Sequence, residues 1–400
     1  MAKMSKYKMS KYALCSLVAA ITLLSAGVRA EKNEIKLGQS MPYSGPAAIW
    51  GIFGKTHSAY FAKINDEGGI NGRKVTFLSY DDAYSPPKAL EQTRKLVEQD
   101  GVLAIFATGG NAVNLAIQPY MNDRKIPQLF VTAGSSRLAD PKNYPWTIGW
   151  SPAYEIEALV YTKHALSTDP NAKIGILRQN DDLGKEFLRG IESVIRETGK
   201  GKIVADATYE LTDPTVDTQV IKLKSAGADV FFNVGSPKFT IQAIKKAAEI
   251  GWRPMQFIYT GSASVSQVFK PAGLENSVGI MTAAWLRDPS DPAQQQTKEY
   301  REYAAFVKKF LPEGRPEDPF IVWSYGQGQT MEYVLRKAGD DLSRENLLKQ
   351  ATSIRGLKLP MLLPGIEIET SPTDYWPIES MKIQRFDGAK WELIGDIVKR

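Results

Sequence analysis

Cysteine and histidine are nearly missing from this 400-residue chain, which holds one Cys, Cys15, and two His, His57 and His164. A lone thiol excludes an internal disulfide and a cysteine-based metal site. The histidines form no HxxxH or HExxH pattern, and no GxSxG elbow, phosphate-binding Walker loop or acidic metal loop occurs, so catalysis, a metal and a cofactor all lack a sequence basis. Each histidine is expected on a helix surface. Apolar runs of the roughly 18 residues needed to cross a bilayer are also missing after the first 30 positions. An excess of one charge is absent too. The net +6 falls to +1 without Lys3, Lys6, Lys8, Lys11 and Arg29, which gives little support to a basic surface for nucleic acid or an anionic membrane.

The basic opening MAKMSKYKMSKY and the short apolar stretch ALCSLVAAITLLSAGV read as a secretory signal. Val28-Arg29-Ala30 sets small or apolar residues at the positions that matter for a cut after Ala30, so residues 1–30 are expected to be removed and Glu31 to open the mature protein. Cys15 follows Tyr12-Ala13-Leu14, a poor lipid-attachment context, which favours soluble export.

What is present is alternation. Short apolar runs rich in β-branched and aromatic residues occur at 35–40, 74–80, 102–107, 128–133, 173–178, 202–209, 229–234, 256–261 and 278–284, separated by amphipathic stretches. This is the rhythm of βαβ units. Ser85 with Pro86-Pro87 opens a helix running to about Gln99, and residues 240–250 repeat Ile241, Ile244, Ala247 and Ala248 until Gly251. Strands that are apolar throughout are buried on both faces. The expected fold is therefore α/β, with two doubly wound α/β/α lobes joined by a hinge near Pro145, Gly149 and Pro152. A helix over about 297–310, the segment LPEGRPEDP and a helix containing TMEYVLRKAG fit neither set by spacing, and GQGQ at 326–329 is a weak glycine pattern inside a helical region.

Binding has better support than catalysis. Ser44 can cap a helix with Pro46 just inside it, Thr108-Gly109-Gly110-Asn111 lets Asn111 cap the next, and Gly134-Ser135-Ser136 offers hydroxyls beside amides. Small polar residues at strand ends followed by helix amides suit a carboxylate. Helix capping alone is the plainer account of each loop.

The string SGPAAIWG, the turn GGING and the D-x-x-G element in QNDDLG, together with the FDG turn near the end, resemble the periplasmic solute-binding proteins of ABC importers, specifically the branched-chain amino acid (Leu/Ile/Val) binding family. The resemblance spans residues 34–400 and implies the type I periplasmic fold: residues 31–150 plus about 285–355 in lobe 1, residues 151–284 plus about 356–400 in lobe 2, with a last crossing near 360–364. It implies a periplasmic monomer that carries a small amino acid or other carboxylate to ABC transporter permease subunits, without enzymatic activity. By motif position, the ligand-binding set becomes Ser44, Trp50, Asn111, Gly134, Ser135, Ser136, Tyr154, Ser236, Gly261 and Ser262.

Two second-lobe positions depart from the family. Gly261-Ser262 stands where an acid meets the ligand ammonium, and Gly235-Ser236-Pro237-Lys238 replaces a tyrosine-rich loop. An enclosed, unpaired ammonium costs several kcal/mol. An amino acid would then need Asp181, Asp182 or carbonyl groups, although a turn role is the plainer account of both aspartates. An aromatic or other non-amino carboxylate, with its ring on Trp50, answers the departures chemically. A ligand-sensing subunit serving a separate regulator shares the same fold.

Overall fold

The computed structural model describes residues 34–399, so the expected signal segment and the cut after Ala30 lie outside the described residues. The chain starts with β1 (Glu34–Met41), α1 (Gly51–Asp66), β2 (Lys74–Asp81), α2 (Pro86–Glu98), β3 (Ala104–Phe106), α3 (Asn111–Asp123), β4 (Gln128–Val131) and β5 (Thr147–Gly149). These strands form one sheet in the order β2-β1-β3-β4-β5, with every pairing parallel. Then come α4 (Tyr154–Thr168), β6 (Lys173–Gln179), α5 (Asp182–Thr198), β7 (Lys202–Tyr209), α6 (Asp217–Ser225), β8 (Val230–Val234), α7 (Pro237–Glu249), β9 (Met255–Ile258) and β10 (Met281–Ala284). After α8 (Lys298–Phe310), α9 (Pro319–Ala338) and α10 (Arg344–Ala351), the hairpin β11 (Ser380–Phe386) and β12 (Trp391–Lys399) completes a second sheet, ordered β12-β11-β10-β9-β8-β6-β7.

Local chemistry accounts for the helices. α2 opens on two prolines after extended Ser85 and buries Ala89, Thr93 and Leu96, one stripe at helical spacing. In α5, Asp181 accepts from the Gly184 amide, left-handed Gly199 ends the helix, and Leu183, Phe187, Ile191 and Val194 face inward. Thr297 caps α8 through the Tyr300 amide. The FDG turn joins β11 to β12 as expected, with the Asp387 amide donating to the Lys390 carbonyl.

The chain leaves the first sheet after β5, and it leaves the second after β10 to lay α8 and α9 against α1. GQGQ lies inside α9, and its glycines are there for packing: a Cβ at Gly328 would stand 2.6 Å from the Tyr60 ring, and one at Gly326 3.0 Å from the Trp150 ring. The segment between α10 and β11 holds to both sides of the crossing. Thr370 donates to the Ala351 carbonyl, Tyr375 to the Pro145 carbonyl, and the Leu363 amide to the Trp285 carbonyl. One continuous apolar core therefore runs through both lobes by way of Trp150, Trp285 and Trp376.

Several sequence expectations need correction. The expected hinge region near Pro145, Gly149 and Pro152 contains the fifth strand of the first sheet, β5, squeezed between the breakers Pro145 and Pro152. The second sheet is mixed, since β11 runs antiparallel to β10. Ser44 caps no helix: its hydroxyl and amide donate to Asp81, and α1 begins at Gly51 after a 3₁₀ turn at Ala48–Trp50. Although burial opposes it, the Lys88 ammonium and the Ser44 hydroxyl hold the Asp81 carboxyl below the ordinary carboxylate range. His57 is fully buried rather than on a surface. Gln39 donates to Nδ1 at 2.9 Å and Nε2 donates to Gln327 at 3.3 Å, while burial drives the imidazole down to about 3 and keeps it neutral. His164 is half-buried.

Candidate functional site

The carboxyl ends of the parallel strands of both sheets meet across a cleft, where doubly wound folds hold their ligands. A cavity lies there. Its floor on the first-lobe side is the α3 entry: Gly110, with φ 92° and ψ 153°, takes the N-cap place expected of Asn111, and Asn111 is the first helical residue. α3 has no side-chain cap, so its amide end is open toward the cavity that Gly109, Gly110 and Asn111 line. Gly110 is required by close approach as well as by φ, because a Cβ would stand 2.2 Å from the Tyr84 ring. Tyr84 itself has φ 59°, and its neighbour Ala83 has φ 51°. Backbone strain of this kind collects at functional sites.

The walls are aromatic. Trp50, Phe53 and Tyr84 come from the first lobe, Tyr154 and Tyr259 from the second, and Phe320 and Trp323 from α9. Trp50 meets Tyr84 edge-on at 5.6 Å, and Tyr154 meets Tyr259 the same way at 5.6 Å. Burial pushes the phenols of Tyr84, Tyr154 and Tyr259 up, so they stay neutral hydroxyls at physiological pH.

One carboxylate, Asp181, faces this ring of tyrosines, and no Lys or Arg is among the lining residues. Its Oδ2 accepts from Gln179 Nε2 at 2.7 Å and its Oδ1 from the Gly184 amide at 3.3 Å. The Leu183 amide also acts on this carboxylate, which with about four acceptor positions still has room for a further donor. Burial raises the Asp181 carboxyl, the Gly184 amide and Gln179 oppose that, and the neighbouring Asp182 charge adds to it.

Of the residues expected from sequence, the cavity brings together Trp50, Asn111, Tyr154, Ser236, Gly261 and Asp181. Tyr154 donates to Asn111 Oδ1 at 3.1 Å, a bond from one lobe to the other. The remainder lie elsewhere. Ser44 is exposed on Asp81, Gly134 lies under the Tyr154 ring, and the Ser262 hydroxyl donates to the Gly235 carbonyl at 2.6 Å. Asp182 pairs with Arg137 at 3.2 Å outside the cavity.

Ser135 and Ser136 do hold a carboxylate, but it belongs to the chain. Glu186 of α5, 1 % exposed, accepts from both hydroxyls and from the Ser136 amide, all at 2.9–3.0 Å. With the Arg137–Asp182 pair it clasps α5 to the loop after β4. Burial raises Glu186 to about 7 even though the serine donors and Arg189 act against it. Glu157, fully buried against Tyr161 and Thr260, is likewise raised by burial to about 7. A carboxyl whose folded value lies above its unfolded value contributes stability that is fully present below pH about 4.5 and lost as pH rises through about 7. Each group should therefore remove about 3 kcal/mol between pH 4.5 and 8. Glu186→Gln should abolish about half of that slope in denaturant unfolding followed against pH. An unaltered slope would show that Glu186 does not titrate there.

Sequence reasoning missed Tyr84, Tyr259, Phe53, Phe320 and Trp323. Tyr84 and Tyr259 carried a usable signal, since each follows a strand end and precedes a helical turn, the criterion that found Asn111. Nothing comparable marked Phe320 and Trp323, which reach the cavity from the first turns of α9.

Two doubly wound lobes, with an aromatic cavity at their facing strand ends, define the type I architecture of two-lobed binding proteins. The family model of periplasmic binding proteins matches residues 34–390, and this chain belongs to that family. It is 24% identical over 262 residues to Leu/Ile/Val-binding protein homolog 7 of Brucella suis biovar 1 (strain 1330), covering 63% of this chain and 64% of that relative's length. A branched chain amino acid ABC transporter structure from Thermus thermophilus with bound valine superposes with TM-score 0.81 at 16% identity, covering 92% of this chain and 97% of that one. A solute binding protein of an ABC transporter from Rhodopseudomonas palustris BisB5, in complex with 3,4-dihydroxy benzoic acid, does so with TM-score 0.76 at 19% identity, covering 92% and 98%.

Proposed function

We propose that this chain is the periplasmic substrate-binding component of an ABC importer of the amino-acid class, that it closes over a small carboxylate-bearing ligand, and that it hands the closed form to a permease. Asp181 carries this reading. It is the one acid lining a cleft of neutral hydroxyls and aromatic faces, and it stands in for the acid that Gly261-Ser262 lacks. The ligand carboxylate goes to the uncapped entry of α3 at Gly110 and Asn111, the ammonium to Asp181, and the apolar part to Trp50, Phe53 and Phe320. Contacts from both lobes at once favour the closed arrangement, which is gating rather than chemistry.

A thermal-shift panel on refolded mature protein tests it, with branched-chain and aromatic amino acids beside the same acids without the amine. Stabilisation by the amino acids alone supports the reading. Stabilisation by the amine-free acids alone overturns it in favour of a second reading, an aromatic hydroxy acid whose phenol donates to Asp181. The aromatic walls and the missing second-lobe acid favour that alternative, and the dihydroxybenzoate complex of the similar Rhodopseudomonas palustris protein is chemically consistent with it.

Both readings put the ligand against Trp50. Trp50→Ala should weaken binding of the stabilising ligand more than tenfold by titration calorimetry, with little change in unfolding midpoint because Trp50 is only half-buried. An unchanged affinity would remove Trp50 from the site.

A further inference from the structure

A second chamber lies behind the cleft. Phe320 and Trp323, on neighbouring turns of α9, line both spaces, and Thr260 faces the chamber while adjacent Gly261 faces the cleft. The far wall is Trp285 at the end of β10, with Ala284 beside it. Trp285 and Trp323 meet edge-on at 4.8 Å. They are 3 % and 5 % exposed, and neither indole N–H has a hydrogen-bond partner. Indole nitrogen can only donate, and native interiors rarely leave such a donor unpaired. Two orphan donors on residues that line one largely apolar chamber are an incomplete site.

The lining chemistry limits what completes it. Asp288 and Glu317 contribute negative charge, and Arg287 is committed to the Pro360 carbonyl and Gln294. Asp288 is itself engaged by Ser290 and the Trp391 amide. An anion would meet two carboxylates against one guanidinium, and a cation brings no acceptor for the indole N–H groups. A neutral ring or acyl group bearing an acceptor oxygen meets both requirements. We infer that the chamber is a second subsite, and that the ligand is an elongated acid. Its carboxylate end sits in the cleft, and its far end passes Phe320 and Trp323 to place a carbonyl or ether oxygen on the indole donors. This rests on the proposed carboxylate reading of the cleft and makes the substrate class larger than a single branched-chain amino acid.

Titration calorimetry would compare phenylalanine and 3-phenylpropanoate with their para-acetyl derivatives. The derivative of whichever parent binds should bind at least tenfold more tightly than that parent. Ala284→Leu, which fills the chamber, should erase the gain while leaving the parent's affinity unchanged. Trp285→Phe, which removes one donor and keeps a ring, should reduce the gain at least threefold. A para-acetyl probe that binds no better than its parent overturns the proposal. If neither parent binds, the cleft takes no phenyl acid, which the thermal-shift panel separates from failure of the cleft reading, and crystals soaked with acetophenone decide the chamber independently. Acetophenone in the chamber with its carbonyl about 3 Å from an indole nitrogen supports the subsite. A chamber empty or filled by water alone overturns it.

Discussion

Asp181→Asn should weaken binding of an amine-bearing ligand by at least a hundredfold while leaving the fold intact. The two halves of that expectation separate because Asp181 has two tasks. As the residue before α5 it accepts from the Gly184 amide, and asparagine performs that cap equally well. As the acid lining the cleft it supplies the charge opposite an ammonium that the closed lobes and the bound ligand cover. Removing one partner of an enclosed charge pair costs about 3–5 kcal/mol, and each 1.4 kcal/mol is a factor of ten, so a hundredfold is the lower end. A phenol donor would still find an acceptor in the asparagine oxygen and lose only the charge assistance of its bond, about tenfold. Calorimetry on the purified variant therefore reports the ligand's chemistry as well as the residue's role. Binding should also weaken as pH falls through the raised carboxyl of Asp181, because protonation discharges the partner of a cation. An affinity unaltered by the substitution, for every ligand that stabilises the protein, would reduce Asp181 to a helix cap.

The parts of this molecule that could be read from sequence are those governed by local periodicity and chain punctuation. The strands over 74–81 and 173–179 and the helix opened by Pro86 are such parts, since alternation, prolines and glycines act within a few residues. β5 escaped because three residues between two prolines give no period. His57 was misplaced because the polar groups that let it be buried, Gln39 and Gln327, come from 18 and 270 positions away. The site divides in the same way. Asn111 follows a strand end and was legible there, whereas Ser236 and Asp181 came only from the resemblance. The serine pair was legible as a carboxylate holder, but its carboxylate, Glu186, is 50 residues on and in the other lobe. Phe320 and Trp323 belong to a helix that comes back only after the chain has crossed twice, and spacing carries no trace of that return.

Gly110→Ala should lower stability by about 2 kcal/mol and weaken binding at least thirtyfold, through two causes that a second substitution can separate. The first is backbone conformation. With φ 92° and ψ 153°, position 110 lies where residues bearing a Cβ are strained by about 1–3 kcal/mol, and that strain persists whatever surrounds it. The second is contact, since the new methyl would stand 2.2 Å from Tyr84 Cε2 and 2.9 Å from its Oη. Tyr84 must then leave Trp50, which opens the aromatic wall and turns the α3 entry away from the ligand carboxylate. In a Tyr84→Ala background the contact disappears and the conformational strain does not. The stability losses of the two variants should therefore be less than additive, with the double variant recovering the contact part and no more. Additive losses would mean that Tyr84 swings aside freely, and the cleft would then owe its shape on this side to Trp50 alone.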